Sequence, residues 1–358
     1  MSLAWQFYIT TVLIYVGIDI IACWALNLQF GVAGVLNFAF IVFQAAGAYT
    51  AAVLTLGPAT KGGYQQYVGG ASWPFPLPVL AAAVVGALLA LLIGVFSLRR
   101  LRSDYQAIVM LVVSLAATLL ATNKVGLVNG PNGLSNVPKP LSTVVGMSPY
   151  GIQYQWLFVG LTAATCLIVY WFVHRVTSAP LGRTLRAMRD NEELAAAMGK
   201  NVSWLRLLVF MLGGAIAAVS GAILVILITA WSPSSWLFPE TFSYFAAVII
   251  GGSGNNLGAL LGAILVPVGF LEIARFVPFG SAGFVGAVQW IAVGLLLLIF
   301  LWFWPRGVVP ERRRRFPASA ATVTVASGGI RGGLRRSVRI PAPRAAKAGH
   351  DGGGAVAD

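Results

Sequence analysis

Hydrophobic positions in this chain come in long unbroken runs rather than in alternation. The runs cover roughly 5–27, 31–57, 79–98, 105–125, 154–174, 205–231, 238–252, 257–273 and 284–304. A continuous apolar run of about 20 residues is long enough to cross a bilayer as a helix. Alternation would be needed for a barrel, so helices follow. The expected fold is all-α: a polytopic transmembrane helix bundle of about 8–10 spans, with broken, Gly-rich helices. Run 31–57 is long and Gly-rich and could divide in two. Run 238–252 is short for a full crossing.

The polar stretches between the runs set direction. Lys and Arg collect in three places: Arg99, Arg100 and Arg102; the island 175–203, with Arg175, Arg183, Arg186, Arg189 and Lys200; and the end of the chain, with Arg306 and Arg312 to Arg315. The loops 58–78, 126–153 and 232–241 carry few or no basic residues. Basic loops stay cytoplasmic. An even number of crossings must therefore separate the island from the four-arginine run. This requires Gly251-Gly252-Ser253-Gly254-Asn255-Asn256 to be a cytoplasmic turn between two segments, not the middle of one helix. The same alternation places the N-terminus outside.

Composition narrows the class. Hydrophobic residues make up 58% of the 358 residues and charged ones 9%, against about 25% charged in a soluble domain. The net charge of +14 would suit nucleic acid, but its distribution does not. Residues 306–358 hold 11 Lys or Arg against 3 Asp or Glu, a net +8. Residues 1–310 thus form the membrane domain. The basic tail 311–358 lacks apolar periodicity and is expected to be disordered, its arginines free to meet anionic membrane lipids. Cys23 and Cys166 lie within runs and read as small buried hydrophobes, not a disulfide. His174 and His350 are too few and too far apart for a metal site.

Catalytic signatures are absent. The chain has no G-x-x-x-x-G-K-[ST] loop and no H-E-x-x-H, so catalytic and metal residues are none. Polar residues inside the runs need a reason. Asp19 is the lone acid of the first run, and an intramembrane carboxylate is a functional candidate; hydrogen bonding to neighbours is the plainer alternative. Asn37 and Gln44 could line a pathway or bond between helices. Glu272 and Arg275 could pair with each other or with a docking protein. Gly213, Ala217 and Gly221, with Gly214, Ala218 and Ala222, give one helix nearly smooth faces, and Gly258 and Gly262 repeat the pattern. Such faces let helices approach closely. In the island, Asp190 with Glu193 could form a capping box. Ala195 to Ala197 favour a helix over about 191–198, and Gly199 suits its left-handed end. The helix either rests on the membrane surface or fits a groove on a soluble partner.

Glu193-Leu194-Ala195 followed by Gly199 resembles the E-A-A-x-x-x-G cytoplasmic motif of ABC importer permeases, with Leu194 in place of the first alanine. Its surroundings, PLGRTLRAMRDNEELAAAMGKNVSWLRLLVFMLGGAIAAVSGAI, are similar to branched-chain amino acid ABC permeases. So are FGVAGVLNFAFIVFQAAGAYTAA, LRSDYQAIVMLVVS, GPNGLSNVPKP, VIIGGSGNNLGALLGAIL and FWPRGVVP, in order from about Leu28 to Pro310. The resemblance implies a multi-pass subunit of the bacterial inner (plasma) membrane. Its partners would be a second homologous permease, two cytoplasmic ATPases and an extracytoplasmic substrate-binding protein. ATP would be used by those ATPases, leaving this chain without enzyme activity or a cofactor. It implies an ATPase-coupling role for Arg183, Arg186, Asp190, Glu193, Ala195, Ala196 and Gly199. Asn129, Gly130, Pro131, Asn132 and Gly133 would receive the binding protein. Asp19, Asn37, Gln44, Gly251, Gly252 and Gly254 would belong to the translocation pathway. Urea, amides or another small solute are alternative cargoes. A self-contained secondary transporter is the alternative class.

Overall fold

In a computed structural model of the chain, the described residues are 2–59, 63–98, 103–141, 146, 148–270, 282–304 and 307–311. They fall within one compact unit, Met1–Arg312. Arg99, Arg100, Arg102, Glu272, Arg275, Arg306, Arg312 to Arg315, His350 and the tail beyond Glu311 lie outside the described residues.

Every expected run carries a helix. Helix α1 is Leu3–Leu26 and widens into a π turn, Asn27–Val32. After it come α2 (Phe40–Thr55), α3 (Leu77–Ser97), α4 (Ser103–Asn123) and α5 (Ile152–Ser178). The island holds α6 (Pro180–Asp190) and α7 (Glu192–Ala197). Then follow α8 (Val202–Ile228), α9 (Phe238–Gly251), α10 (Asn256–Ala263, continued by a π stretch Ile264–Phe270) and α11 (Ala282–Phe303). Run 31–57 is indeed interrupted. Its first residues finish α1, and 33–39 are non-helical before α2 begins. With 14 residues, α9 is about 21 Å long, short of the roughly 30 Å hydrocarbon core. It turns back at the glycines into α10, so the two-segment reading holds.

Helix α8 is the hub, packed on α1, α2 and α3. Its small residues allow this. A Cβ on Gly214 would meet Ala90 Cβ at 2.7 Å, and one on Gly86 would meet the Gly214 carbonyl oxygen at 2.6 Å. Gly221 rests on the Gln44 carbonyl, and Gly47 on the Ala218 backbone. The predicted smooth faces thus meet neighbouring backbone at Gly221 and Ala218, while Gly213 rests on the Gln29 side chain. Lipid offers no hydrophobic drive between helices, so such van der Waals contact supplies the association. Outward positions on α3, α5 and α11, such as Leu92, Phe96, Leu167, Ile168, Leu298 and Trp302, are exposed. An apolar belt of this kind suits lipid, not water.

The polar loops sort to two ends. At one, Arg189 donates to the Gly31 carbonyl, Gly254 N donates to Asn27 Oδ1 at 2.8 Å, and Val309 N donates to Gly251 O at 3.0 Å. Helix α8, 27 residues and so about 40 Å long, leads from there to the other end. There Leu134 and Trp231 exchange two backbone bonds of 2.8 Å, Gln65 bonds Ser135, and Gln66 N donates to Asn129. This is the grouping of loops that the Lys and Arg pattern predicts. Helix α1 ends at the first, basic end, so Leu3 starts at the opposite one.

Candidate functional site

The interruption at 33–39 leaves backbone groups without helical partners at membrane depth, where unpaired groups cost several kcal/mol. Long polar side chains supply the partners. Val35 N donates to Gln29 O at 2.9 Å and Gly34 N to Phe30 O at 3.0 Å. Gln106 Nε2 donates to Leu36 O at 2.9 Å, Ala39 N to Asn37 Oδ1 at 3.1 Å, and Ile41 N to Thr241 Oγ1 at 3.3 Å. Asn37 Nδ2 donates to Gln29 Oε1 at 2.9 Å, and Gln29 Nε2 to Phe210 O at 3.0 Å. Gln29 and Asn37 are fully buried. Asn37 therefore holds the break open from within. Gln29 and Gln106 went unnoticed in the sequence, where a single amide in an apolar run carries no sign of a partner 70 or 181 residues away.

The glycine turn is the second break. Gly252 (φ +118°) and Gly254 (φ +82°) adopt backbone that L side chains rarely take. Asn27 ties this turn to the end of α1 through Gly254 N and through Asn256 Oδ1 at 3.2 Å. Asn256 reaches on to Thr177 Oγ1 at 3.3 Å, and its carbonyl accepts from Trp24 Nε1 at 2.9 Å. Asn255 caps α10 by accepting from Leu257 N at 3.1 Å. Asn256 thus fastens the turn to α1 and α5, while Asn255 starts α10.

A third polar group joins α1, α2 and α9. Tyr244 Oη donates to Asp19 Oδ1 at 3.3 Å and accepts from Gln44 Nε2 at 3.2 Å. Tyr244 joins two residues singled out in the sequence and was not itself foreseen. Glu240 sits one helical turn before it on α9. Beside this group runs an aromatic ladder: Phe30 against Phe245 at 5.2 Å, Phe245 against Phe38 at 5.1 Å, and Phe38 against Phe242 at 5.5 Å between ring centroids.

The island has two helices. Helix α6 buries Gly182, Leu185 and Met188 on one stripe. Arg186 and Arg189 turn inward to Glu311, each at 2.7 Å, while Arg183 is exposed. Helix α7 touches the body chiefly through Ala195, 6% exposed, whereas Leu194 and Met198 are 61% and 75% exposed. Glu193 is exposed, and Glu192 pairs with Arg206 at 2.5 Å. The expected Asp190–Glu193 capping box does not form. Asp190 still belongs to α6, and the extended residue is Asn191 (φ −157°, ψ 107°), whose Oδ1 accepts from Leu194 N at 2.9 Å. A cap needs non-helical backbone, and only Asn191 has it. The other end is as expected: Gly199 (φ +77°) closes a Schellman motif, with Lys200 N donating to Ala195 O at 3.2 Å and Gly199 N to Ala196 O at 2.9 Å. An open groove of about 660 Å³ runs along α7, lined by Glu192, Glu193, Ala196, Lys200, Asn201 and Ser203 among others.

At the opposite end, Asn129 (φ +64°) and Gly130 (φ +56°) open a tight turn that ends at Gly133 (φ +65°). Asn129 Nδ2 donates to Gly133 O at 2.7 Å and closes it. Asn129, Gly130 and Gly133 are buried, leaving Pro131 and Asn132 exposed at the tip. Lys139 braces the neighbouring loop, donating to Pro149 O at 3.0 Å with its ammonium 4.7 Å from the Tyr150 ring centre. Burial lowers its pKa below the ordinary lysine value.

Residues 8–302 match the family described as the permease component of the branched-chain amino acid transport system. The chain belongs to this family. Among its relatives, a probable branched-chain amino acid transport permease protein LivM of Methanocaldococcus jannaschii is 28% identical over 85% of this chain and 94% of its own. The high-affinity branched-chain amino acid transport system permease protein LivM of Escherichia coli is 29% identical over 87% and 73%. The xylose transport system permease protein XylH of Escherichia coli is 24% identical over 64% and 71%. No solved structure matches.

This permease component is a multi-pass protein of the inner membrane, with five described helices long and apolar enough to cross it. Its fold gathers the singled-out residues into separate places. Asp19 and Gln44 share the Tyr244 group, Asn37 holds the first break, and Gly251, Gly252 and Gly254 make the second. The island stands at the basic end, and the Asn129–Gly133 turn at the far end. The two cysteines are free thiols, Cys166 Sγ facing Gly17 O at 3.2 Å.

Proposed function

We propose that this permease is one membrane half of an ATP-driven importer carrying branched-chain or related amino acids. A second permease of like fold would complete the pathway. Two cytoplasmic ATPases would supply and use the ATP, and an extracytoplasmic binding protein would deliver the solute. This chain would itself hydrolyse nothing and hold no cofactor. The observation that carries the reading is α7. It is a helix of six residues, fixed by Asn191 at one end and Gly199 at the other, yet buried only at Ala195. An isolated helix so short is unstable in water, so its caps and the body must hold it in shape. A helix held in shape and left uncovered suits a partner's groove, and Leu194 and Met198 supply the apolar contact.

In this reading Arg183, Glu193 and Ala196 meet the ATPase, while Arg186 and Arg189 hold α6 to the body. Pro131 and Asn132 meet the binding protein, with Asn129, Gly130 and Gly133 as their scaffold. Asp19, Gln44 and Tyr244 face the solute path, and the breaks at 33–39 and 251–256 let its walls shift. The test is Glu193→Arg, which places a positive charge in the first turn of α7 against the helix dipole. Co-purification of the ATPases and solute uptake should both be lost, while the chain stays in the membrane. Retained ATPase binding with normal uptake would refute the docking role.

A further inference from the structure

Glu311 stands where the membrane body ends in the sequence reading, and the transport reading gives it no task. Its carboxylate is held from two sides. Oε1 lies 2.7 Å from Arg186 Nε and Oε2 lies 2.7 Å from Arg189 Nη2. Side-chain exposure is 19% for Glu311, 33% for Arg186 and 21% for Arg189, so the triad is largely sheltered from water. Both arginines continue inward. Arg186 Nη1 donates to Thr177 O at 3.2 Å, in the last turn of α5, and Arg189 Nη1 donates to the Gly31 carbonyl beside the first break.

The backbone that carries Glu311 is fastened to the second break. Val308 N donates to Ile250 O at 2.8 Å and Val309 N to Gly251 O at 3.0 Å. Gly307 packs on the Gly252 backbone, and Asn255 Nδ2 reaches Val309 O at 3.4 Å. Glu311 thus stands at the crossing of three elements: the island, the end of α1 and the glycine turn. Helix α6 also rests on a narrow stripe of Gly182, Leu185 and Met188. A charge-assisted hydrogen bond from Arg189 and an ion pair with Arg186, both to one carboxylate, hold it in register.

We propose that Glu311 is a positioning residue for energy coupling: it carries displacement of the island to both helix breaks, so that ATPase movement opens and closes the path. This rests on the reading of α7 as the ATPase-docking helix. Coupling needs an element that both sites bias, and the triad is a charged link that joins the island to the turn.

The test uses the whole importer, purified with its ATPases and reconstituted in vesicles, with ATP hydrolysis and uptake measured together. Glu311→Gln keeps the shape and removes the charge. It should leave ATPase recovery and hydrolysis in place and lower uptake per ATP at least about fivefold, the low end of site-to-site coupling. Glu311→Asp, which keeps the charge, should restore part of the ratio. An unchanged ratio in Glu311→Gln would overturn the proposal. So would a loss of assembly with uptake falling in proportion to the complex recovered, which marks a static brace. Failure of the unmodified chain to recover any ATPase would overturn the importer reading itself, a result distinct from normal coupling in the variant.

Discussion

Gln29 illustrates how much one side chain can hold at membrane depth. Its amide accepts from Asn37 and donates to the Phe210 carbonyl, while its own backbone oxygen accepts from Val35. A leucine has similar size but no hydrogen-bonding atoms. Gln29→Leu would leave the Asn37 N–H unpaired and buried, at a cost of about 1–3 kcal/mol. The Asn37 amide would then turn and release Ala39 N as well. We expect a lower thermal unfolding midpoint in detergent. Gln29→Leu as stable as the parent chain would mean that water or a rearranged backbone satisfies the break instead.

At the scale of elements, the glycine faces of α8 set how close α2 and α3 can come. A side chain on Gly221 would run into the Gln44 carbonyl, and the Gln44 amide holds Tyr244. Gly221→Leu should therefore push α2 away and reduce the yield of monodisperse protein on size exclusion. A Cβ added at Gly160 on α5 would meet nothing within 4 Å, so Gly160→Leu serves as the matched control and should behave as the parent. Leucine favours a helix over glycine, so equal loss in both would place the cost in added bulk at any helix surface rather than in the contact with Gln44. These faces were legible because small residues four apart announce themselves along one helix. The helices were legible for a similar reason: an apolar run is a property of a segment, and each of the nine runs carries a helix, although that of run 31–57 begins only at Phe40. What was not legible depends on contacts across the chain. Two partners of the first break, Gln106 and Thr241, come from residues 70 and 200 positions away. The cap of α7 moved one residue, from Asp190 to Asn191, because α6 extends to Asp190. Glu311 looked like the start of a polar tail because its two arginines lie 122 and 125 positions earlier in the chain, outside any local window.

For the whole molecule, the decisive feature is that its two ends differ in how many basic residues they carry among the described residues. Arg183, Arg186, Arg189, Lys200 and Arg206 stand at one end, with Lys124 and Lys139 at the other. The glycine turn, the triad and the start of the first break gather at the basic end, while the opposite end carries backbone bridges and tight turns. Basic loops are retained on the cytoplasmic side, so the end with the glycine turn should be the one that meets ATP-using partners. The cysteines permit a direct check. Cys23 is buried and Cys166 half-buried, and both can be replaced by alanine to give a background without thiols. Asn132→Cys and Ala197→Cys then place single thiols at the two exposed ends. A membrane-impermeant maleimide should label Asn132→Cys in intact right-side-out vesicles and Ala197→Cys only after permeabilisation. The reverse pattern would invert the molecule, put α7 where no ATP is available, and remove the basis for reading it as the docking helix.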